Sequence, residues 1–401
     1  MSEQATAVGA GPGRHSDRFD VVVVGARVAG AATAMLLARS GHRVLLLDRA
    51  RMPSDTVSTH AILRTGVLQL RRWGLLDRVV AVETPAVRDV TLGFGDERIP
   101  VRMASEHGVD ALYAPRRHIL DWLMIEAAID SGVEFRGSSR VTELLRGRDR
   151  RVCGVVVGHG EEIEATVVIG ADGTHSKIAD LVRAPVQVSH RATNAVHYGY
   201  FSGVEHQGFW FQFTPGVNAG LIQTNDDVTL AFVGRRREHL AAFRHDPEED
   251  FFRLLRHAGA DLARVVEAGT RVGGFRGTPG LAGYSRKPWG PGWALVGDAG
   301  YTKDPISAHG ISDALRDAEL CARAVDRSLR HVDDEAAAMS EYWRVRDQLS
   351  SRIYREAAAL AAYRWDAGEA SARMRAISES VRDECAAIEA LPPWAEATSA
   401  A

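Results

Sequence analysis

FDVVVVGARVAGAATAMLLARSGHRVLLLDR, residues 19–49, is the stretch on which the fold turns. Phe19 to Val24 is apolar and β-branched, the composition of a strand buried on both faces. Gly25-Ala26-Arg27-Val28-Ala29-Gly30 then turns the chain into a helix over Ala29 to Arg39. Gly41 stands where a helix C-cap glycine belongs, and Arg43 to Leu47 is a second apolar strand ending at Asp48. The result is a βαβ unit with its turn and its acid placed for a bound dinucleotide. Gly25 permits the tight turn, Gly30 lets helix and strand pack closely, and the helix N-terminus offers free N–H groups to a pyrophosphate. Asp48 follows Gly30 by 18 residues, the spacing of a carboxylate that grips an adenosine ribose, and it would repel a 2′-phosphate. The middle glycine of G-x-G-x-x-G is Arg27, so the fingerprint is incomplete. Val21 to Ala38 is apolar enough to suggest a membrane span, but its valines, central glycines and Arg27 argue against one.

The rest of the composition narrows the class. At 401 residues the chain is long enough for two domains. A net charge of −3 with 25% charged residues implies neither a nucleic-acid nor an acidic-membrane partner. Cys153, Cys321 and Cys385 are scattered and odd in number, which speaks against a disulfide framework, a metal site of paired cysteines or a redox pair. No metal is expected. Residues 1–18 are rich in small residues without an apolar core, so a disordered leader and a cytoplasmic location are expected.

Two further patches bear on function. Val168-Ile169-Gly170-Ala171-Asp172-Gly173-Thr174-His175-Ser176 is a strand running into an Asp-Gly turn. Ala294-Leu295-Val296-Gly297-Asp298-Ala299-Gly300 is a strand and a Gly-Asp turn; Asp304-Pro305-Ile306-Ser307-Ala308-His309-Gly310-Ile311-Ser312 leads from it into a helix expected over Ser312 to Leu329. Between them, Tyr198, Tyr200, Phe209, Trp210, Phe211 and Phe213 mark an aromatic, mainly antiparallel sheet. Helices are also expected over 61–73, 115–131, 237–245 and 247–258, a β-hairpin around Gly95-Asp96, short strands at 163–165 and 167–170, and two outer helices in the tail.

With these three motifs in this order, the sequence resembles the class A FAD-dependent flavoprotein monooxygenases, the p-hydroxybenzoate hydroxylase-like family. The resemblance implies an α/β fold. A Rossmann-like FAD-binding domain (19–86, 112–185 and 286–330) would be interleaved with an antiparallel β-sheet substrate domain (87–111 and 186–285), followed by C-terminal helices over 331–401. It implies non-covalent FAD, with Gly25, Ala26, Arg27, Ala29 and Gly30 at the pyrophosphate, Asp48 on the ribose and Arg49 beside the adenine. Arg117 would reach the cofactor, with Arg116 an equal candidate, and Val141 would offer a backbone contact to adenine. Asp172 matches the Asp-Gly aspartate, Asp298 the aspartate on the ribityl chain, and Gly310 and Ile311 would present N–H groups to the flavin pyrimidine. A helix N-terminus there suits the negative charge of reduced flavin.

The sequence departs from the family at Arg27, at Ala179, where an arginine is frequent, and at Ala308-His309-Gly310-Ile311-Ser312, where Gly-Gln-Gly-x-Asn is usual. One fingerprint means no separate nicotinamide domain, so NAD(P)H is expected as a transient electron donor, or a separate flavin reductase supplies electrons. The activity implied is oxygenation by O2, through a flavin C4a-hydroperoxide, of an apolar, aromatic or polycyclic small molecule, in secondary metabolism. His60 and His309 are the candidates for proton handling, and Tyr198, Tyr200, Trp210 and Phe211 for the substrate pocket. The same fold hosts flavin-dependent halogenases and isoprenoid double-bond reductases; Gly208 to Pro215 (GFWFQFTP) only loosely echoes their Trp-containing motifs. A non-catalytic FAD-binding redox protein is the remaining alternative.

Overall fold

The structure, a computed structural model, describes residues 18–240 and 245–394. Phe19–Val24 lies inside an eight-stranded sheet, paired in parallel with Val44–Leu47 on one side and Glu161–Gly170 on the other. Glu134–Arg136 extends the sheet beyond Val44–Leu47, and Trp293–Leu295 extends it beyond Glu161–Gly170. Alternate residues of the central strands point to opposite faces. Val21, Val23, Leu46 and Ile169 pack on the helices Val28–Arg39, Arg117–Asp130 and Gly310–Leu329. Phe19, Val22, Leu45 and Val168 pack under the meander Val141–Arg146 and Val152–Val157. Coverage on both faces is why these strands read as unbroken apolar runs.

Several element boundaries differ from the sequence expectation. The strands expected at 163–165 and 167–170 are one ten-residue strand, because β-branched Thr166 continues it. Its first half pairs with the meander and its second half with Phe19–Val24. The helix expected from Ala61 starts at Arg64, since His60 takes a left-handed φ of +67° and Ile62 bridges to Tyr113. The helix expected from Ser312 starts two residues earlier, at Gly310. Of the helix expected over 237–245, a short turn at Arg237–His239 is seen, and residues 241–244 lie outside the described residues, as does nearly all of the expected leader. Ala260–Glu267 is a helix that sequence reading left out.

The second sheet has seven strands in the order Thr270–Thr278, Asn194–Ser202, Val228–Arg236, Val217–Gln223, Phe209–Thr214, Asp89–Phe94 and Glu97–Arg102. It is antiparallel except where Phe209–Thr214 runs parallel to Asp89–Phe94. One face carries the helices Pro247–Ala258 and Ala260–Glu267; the other faces the loops of the first sheet.

The tail forms the helices Glu335–Ala361 and Ala367–Glu389, the second opened by an Asp366–Glu369 capping box. Expected as an outer cover, they instead complete the interior, with Tyr342, Ile353, Leu360, Glu384 and Ile388 fully or almost fully buried. Among the described residues, no helix is long and apolar enough to cross a membrane.

Candidate active site

The fold brings the three sequence motifs into contact. A Cβ on Gly25, whose φ is +106°, would lie 2.4 Å from the Ala171 carbonyl oxygen, so the first turn touches the Asp-Gly segment. A Cβ on Gly30 would lie 1.7 Å from the Gly25 carbonyl oxygen, and one on Gly297 would lie 2.9 Å from Ala29. Tyr284 ties the second and third motifs, its hydroxyl reaching the carbonyls of Thr174 at 3.0 Å and Asp298 at 2.6 Å. Backbones this close require glycine on steric grounds.

Arg27 breaks no such rule. Its φ of −79° is ordinary for any residue, and it caps the helix Val28–Arg39 without narrowing the turn. Its guanidinium donates to Asp121 Oδ2 at 2.6 Å and to Ser54 Oγ at 3.2 Å. Arg117 donates to Asp121 Oδ1 at 2.9 Å. One fully buried carboxylate therefore holds two guanidiniums, leaving a net positive charge beside the helix N-terminus. Asp48 accepts from the Ala26 N–H at 2.8 Å through Oδ2 and from the Ala50 N–H at 2.7 Å through Oδ1, which fixes its carboxylate against the turn. Arg49 is exposed beside it, and Val141 is buried at the start of the meander.

Asp298 keeps solvent-accessible surface, yet protein surrounds it closely enough that burial raises its carboxyl pKa, against the pull of Lys303 and Arg117. Gly310 is exposed and Ile311 nearly buried at the N-terminus of Gly310–Leu329. The first N–H groups of that helix lack partners within it, as do those of Val28–Arg39. Asp172 is occupied locally: it accepts from Ser176 Oγ at 2.5 Å and from the Lys177 N–H at 2.6 Å, capping the helix Lys177–Val182.

On the sheet side, Tyr198, Tyr200 and Phe211 share the face turned toward the first sheet's loops. Trp210 does not. The two-residue alternation of the strand sends it to the opposite face, under the helices, which corrects its assignment to the pocket. A narrow apolar cavity of about 20 Å³ lies between this face and Pro305–Ala308, with Phe211, Phe213 and Phe232 on one wall.

His60 is fully buried nearby, Nε2 at 2.5 Å from Tyr200 Oη and Nδ1 without a partner. Burial and the neighbouring Arg117 guanidinium push its pKa down to about 3, so the imidazole is neutral at physiological pH. His309 is buried on the other side of its helix, Nε2 at 2.6 Å from Glu384 Oε2. The structure therefore brings His60, Arg117 and Asp298 together and turns His309 toward the tail.

A region spanning residues 18–247 matches the family described as FAD binding domain. The chain belongs to the FAD binding domain family. It is an FAD-dependent oxidoreductase, and its residues fit that cofactor: two helix N-termini with unpaired first N–H groups lie close to the Asp48 carboxylate and to the Gly297-Asp298 turn. The chain is 27% identical over 343 residues to digeranylgeranylglycerophospholipid reductase of Methanosarcina mazei, covering 82% of this chain and 80% of that one. In fold it is similar to PqsL, a probable FAD-dependent monooxygenase of Pseudomonas aeruginosa, with TM-score 0.79, 23% identity and coverage of 90% of this chain and 100% of that one. It is also similar to the myxobacterial chondrochloren halogenase CndH, with TM-score 0.78, 21% identity and coverage of 94% and 98%.

His309, Asp313 and Glu384 also stand close enough together to suggest a metal site in this flavoenzyme. Cations of the protein already occupy its carboxylates: Arg316 lies 2.8 Å from both Asp313 and Glu384, and Lys303 also pairs with Asp313. The cluster is an ion-pair core that fastens the tail helix Ala367–Glu389 to the helix Gly310–Leu329. Sequence reading missed Asp121, although its i,i+4 spacing from Arg117 was visible. It also missed Glu384, for which no local signal exists.

Proposed function

We propose that the protein is a monooxygenase that uses NAD(P)H and O2 to oxygenate an apolar aromatic or polycyclic small molecule. The observation that carries this reading is the aromatic sheet face of Tyr198, Tyr200 and Phe211, packed toward Ala308 just before the helix N-terminus at Gly310. An apolar recess with a few polar wall groups is what a flat, water-excluding substrate site requires. The flavin supplies the redox chemistry itself.

The protein's share is binding, orientation and charge. In this proposal Gly25, Ala26, Arg27, Ala29 and Gly30 hold the pyrophosphate, Asp48 the ribose, Arg49 and Val141 the adenine end, and Arg117 and Asp298 the middle of the cofactor. Gly310 and Ile311 face the pyrimidine. Tyr198, Tyr200 and Phe211 wall the substrate side, and neutral His60 holds the Tyr200 hydroxyl in place and offers its free Nδ1 as a hydrogen-bonding group. His309 acts from a distance, by bracing the start of its helix through Glu384.

Reduction of an isoprenoid double bond is the second reading, favoured by the 27% identity to the archaeal lipid reductase over most of both chains. The test is consumption of NADH or NADPH under air with a panel of aromatic compounds and, separately, with geranylgeranyl compounds. Oxygen uptake that rises with an aromatic compound supports the monooxygenase. Saturation of the isoprenoid without oxygen uptake supports the reductase.

A further inference from the structure

Of the 49 lysines and arginines in the chain, only Lys177, Lys287 and Lys303 are lysines. Lys177 is exposed and Lys287 half-buried, whereas Lys303 keeps only 6% of its surface. A lysine at that position has a chemical consequence. An ammonium can give up its proton inside a protein, and a guanidinium cannot.

The Lys303 ammonium reaches the first turn of the helix Gly310–Leu329, where it pairs with Asp313 Oδ2. The other Asp313 oxygen lies 2.8 Å from Arg316. Arg316 also holds Asp317 and, on the tail helix, Glu384, each at 2.8 Å. His309 stands 2.6 Å from Glu384 and 3.9 Å from Asp313, and burial lowers its pKa, so it adds little positive charge. From the loop that carries Lys303, the Asp298 carboxylate attracts the ammonium, and the Tyr301 ring lies 5.3 Å from Nζ. Three carboxylates of the two helices therefore face one permanent cation, Arg316, and the proton on Lys303 decides whether one or two negative charges remain. Burial and the Arg316 guanidinium pull Lys303 down to about 7, against Glu384, Asp298 and Asp317.

We infer that Lys303 is a positioning residue that acts on the flavin through the first turn of this helix, taking a proton from solvent as negative charge arrives at the pyrimidine. The new N–H bond forms on the Nζ lone pair, and the electrons come with the hydride of NAD(P)H. A unit charge about 10 Å away, at an effective dielectric of about 20, changes the proton affinity of an ammonium roughly tenfold. The inference rests on the placement of the pyrimidine at Gly310 and Ile311, and it holds whichever substrate is then turned over.

The test is NMR of protein carrying 13C at lysine Cε, titrated without FAD, with FAD, and with FAD reduced in the absence of air. Lys177→Arg and Lys287→Arg assign two of the three signals, and the third is Lys303. Reduction should raise the proton affinity of Lys303 about tenfold and leave the other two signals unmoved. By linkage, the wild-type flavin should be about 30 mV easier to reduce than that of Lys303→Met at pH 6, a tenfold effect for a two-electron couple, and equal to it at pH 9.5. Lys303→Arg, which cannot lose its proton, should keep that difference at both pH values; a merely structural cation would show no such pH dependence. The wild-type titration stands even where a variant fails to fold. Hydrogen exchange over Gly310 to Asp313, with and without FAD, tests the placement separately. A Lys303 signal unmoved by reduction, with FAD protecting that turn, overturns the inference and leaves the placement standing. Absence of protection overturns both.

Discussion

Gly30→Ala should abolish tight FAD binding while leaving the protein folded. The new Cβ would sit 1.7 Å from the Gly25 carbonyl oxygen, whereas real contacts stay above 3.0 Å. Gly25 cannot retreat, because its own Cα faces the Ala171 carbonyl. The helix Val28–Arg39 must therefore shift outward by at least about 1.3 Å, lengthening N–H contacts to a pyrophosphate from about 2.9 Å to beyond hydrogen-bonding range. Losing two charge-assisted bonds, at about 1.5–3 kcal/mol each, weakens FAD binding by roughly two to four powers of ten. The overpacking itself costs about 1–3 kcal/mol of stability. Gly41→Ala is the control. Its φ of +87° makes alanine strained, but nothing lies within 4 Å, so it should lower stability alone. Fluorescence titration of the deflavinated proteins measures both. A Gly30→Ala protein that binds FAD like the wild type would refute the account of the turn.

Asp121→Ala should release Arg27 and Arg117 together and weaken FAD binding by about tenfold, because two unclamped, partly exposed guanidiniums hold an anion less well; the same titration at two salt concentrations checks it. Glu384→Ala should cost about 3 kcal/mol in urea unfolding, the low end for breaking a buried pair, since Arg316 keeps Asp313 and Asp317. Burial alone would raise the Glu384 pKa, but His309 and Arg316 outweigh it and hold it below the ordinary range. Its contribution is therefore full above about pH 4.3 and lost as pH falls below that, so Glu384→Gln should flatten the acid limb of the stability profile. His60 has the opposite chemistry. Held down to about 3, it binds fewer protons folded than unfolded, so it subtracts stability as pH falls from about 6.5 toward 3, and His60→Gln should remove that loss. Its ring should also stay neutral by NMR at pH 5.

What could be read in the sequence was whatever depends on local geometry. The apolar strand Phe19–Val24, its glycine turn and Asp48 make a unit whose spacing alone implies the βαβ contacts now seen between Gly25, Gly30 and Ala171. The aromatic sheet was legible too, but only to within its alternation. Trp210 was assigned to the pocket because the run of aromatics hid which face each one takes. Buried polar contacts were not legible where they join long stretches of chain. Tyr363 lies 169 residues from Asn194 and 145 from Asn218, and Glu384 lies 75 from His309. No periodicity joins such positions. His309 looked like a proton carrier because its partner sits on a helix that sequence reading placed outside the core.

The most direct measurement is mass spectrometry of product formed from isotopically labelled O2, NADPH and an aromatic compound such as naphthol. The account predicts one labelled oxygen atom in the product for each NADPH coupled to turnover. Consumption of NADPH that adds no oxygen to any aromatic compound, while a geranylgeranyl compound is saturated, would contradict it.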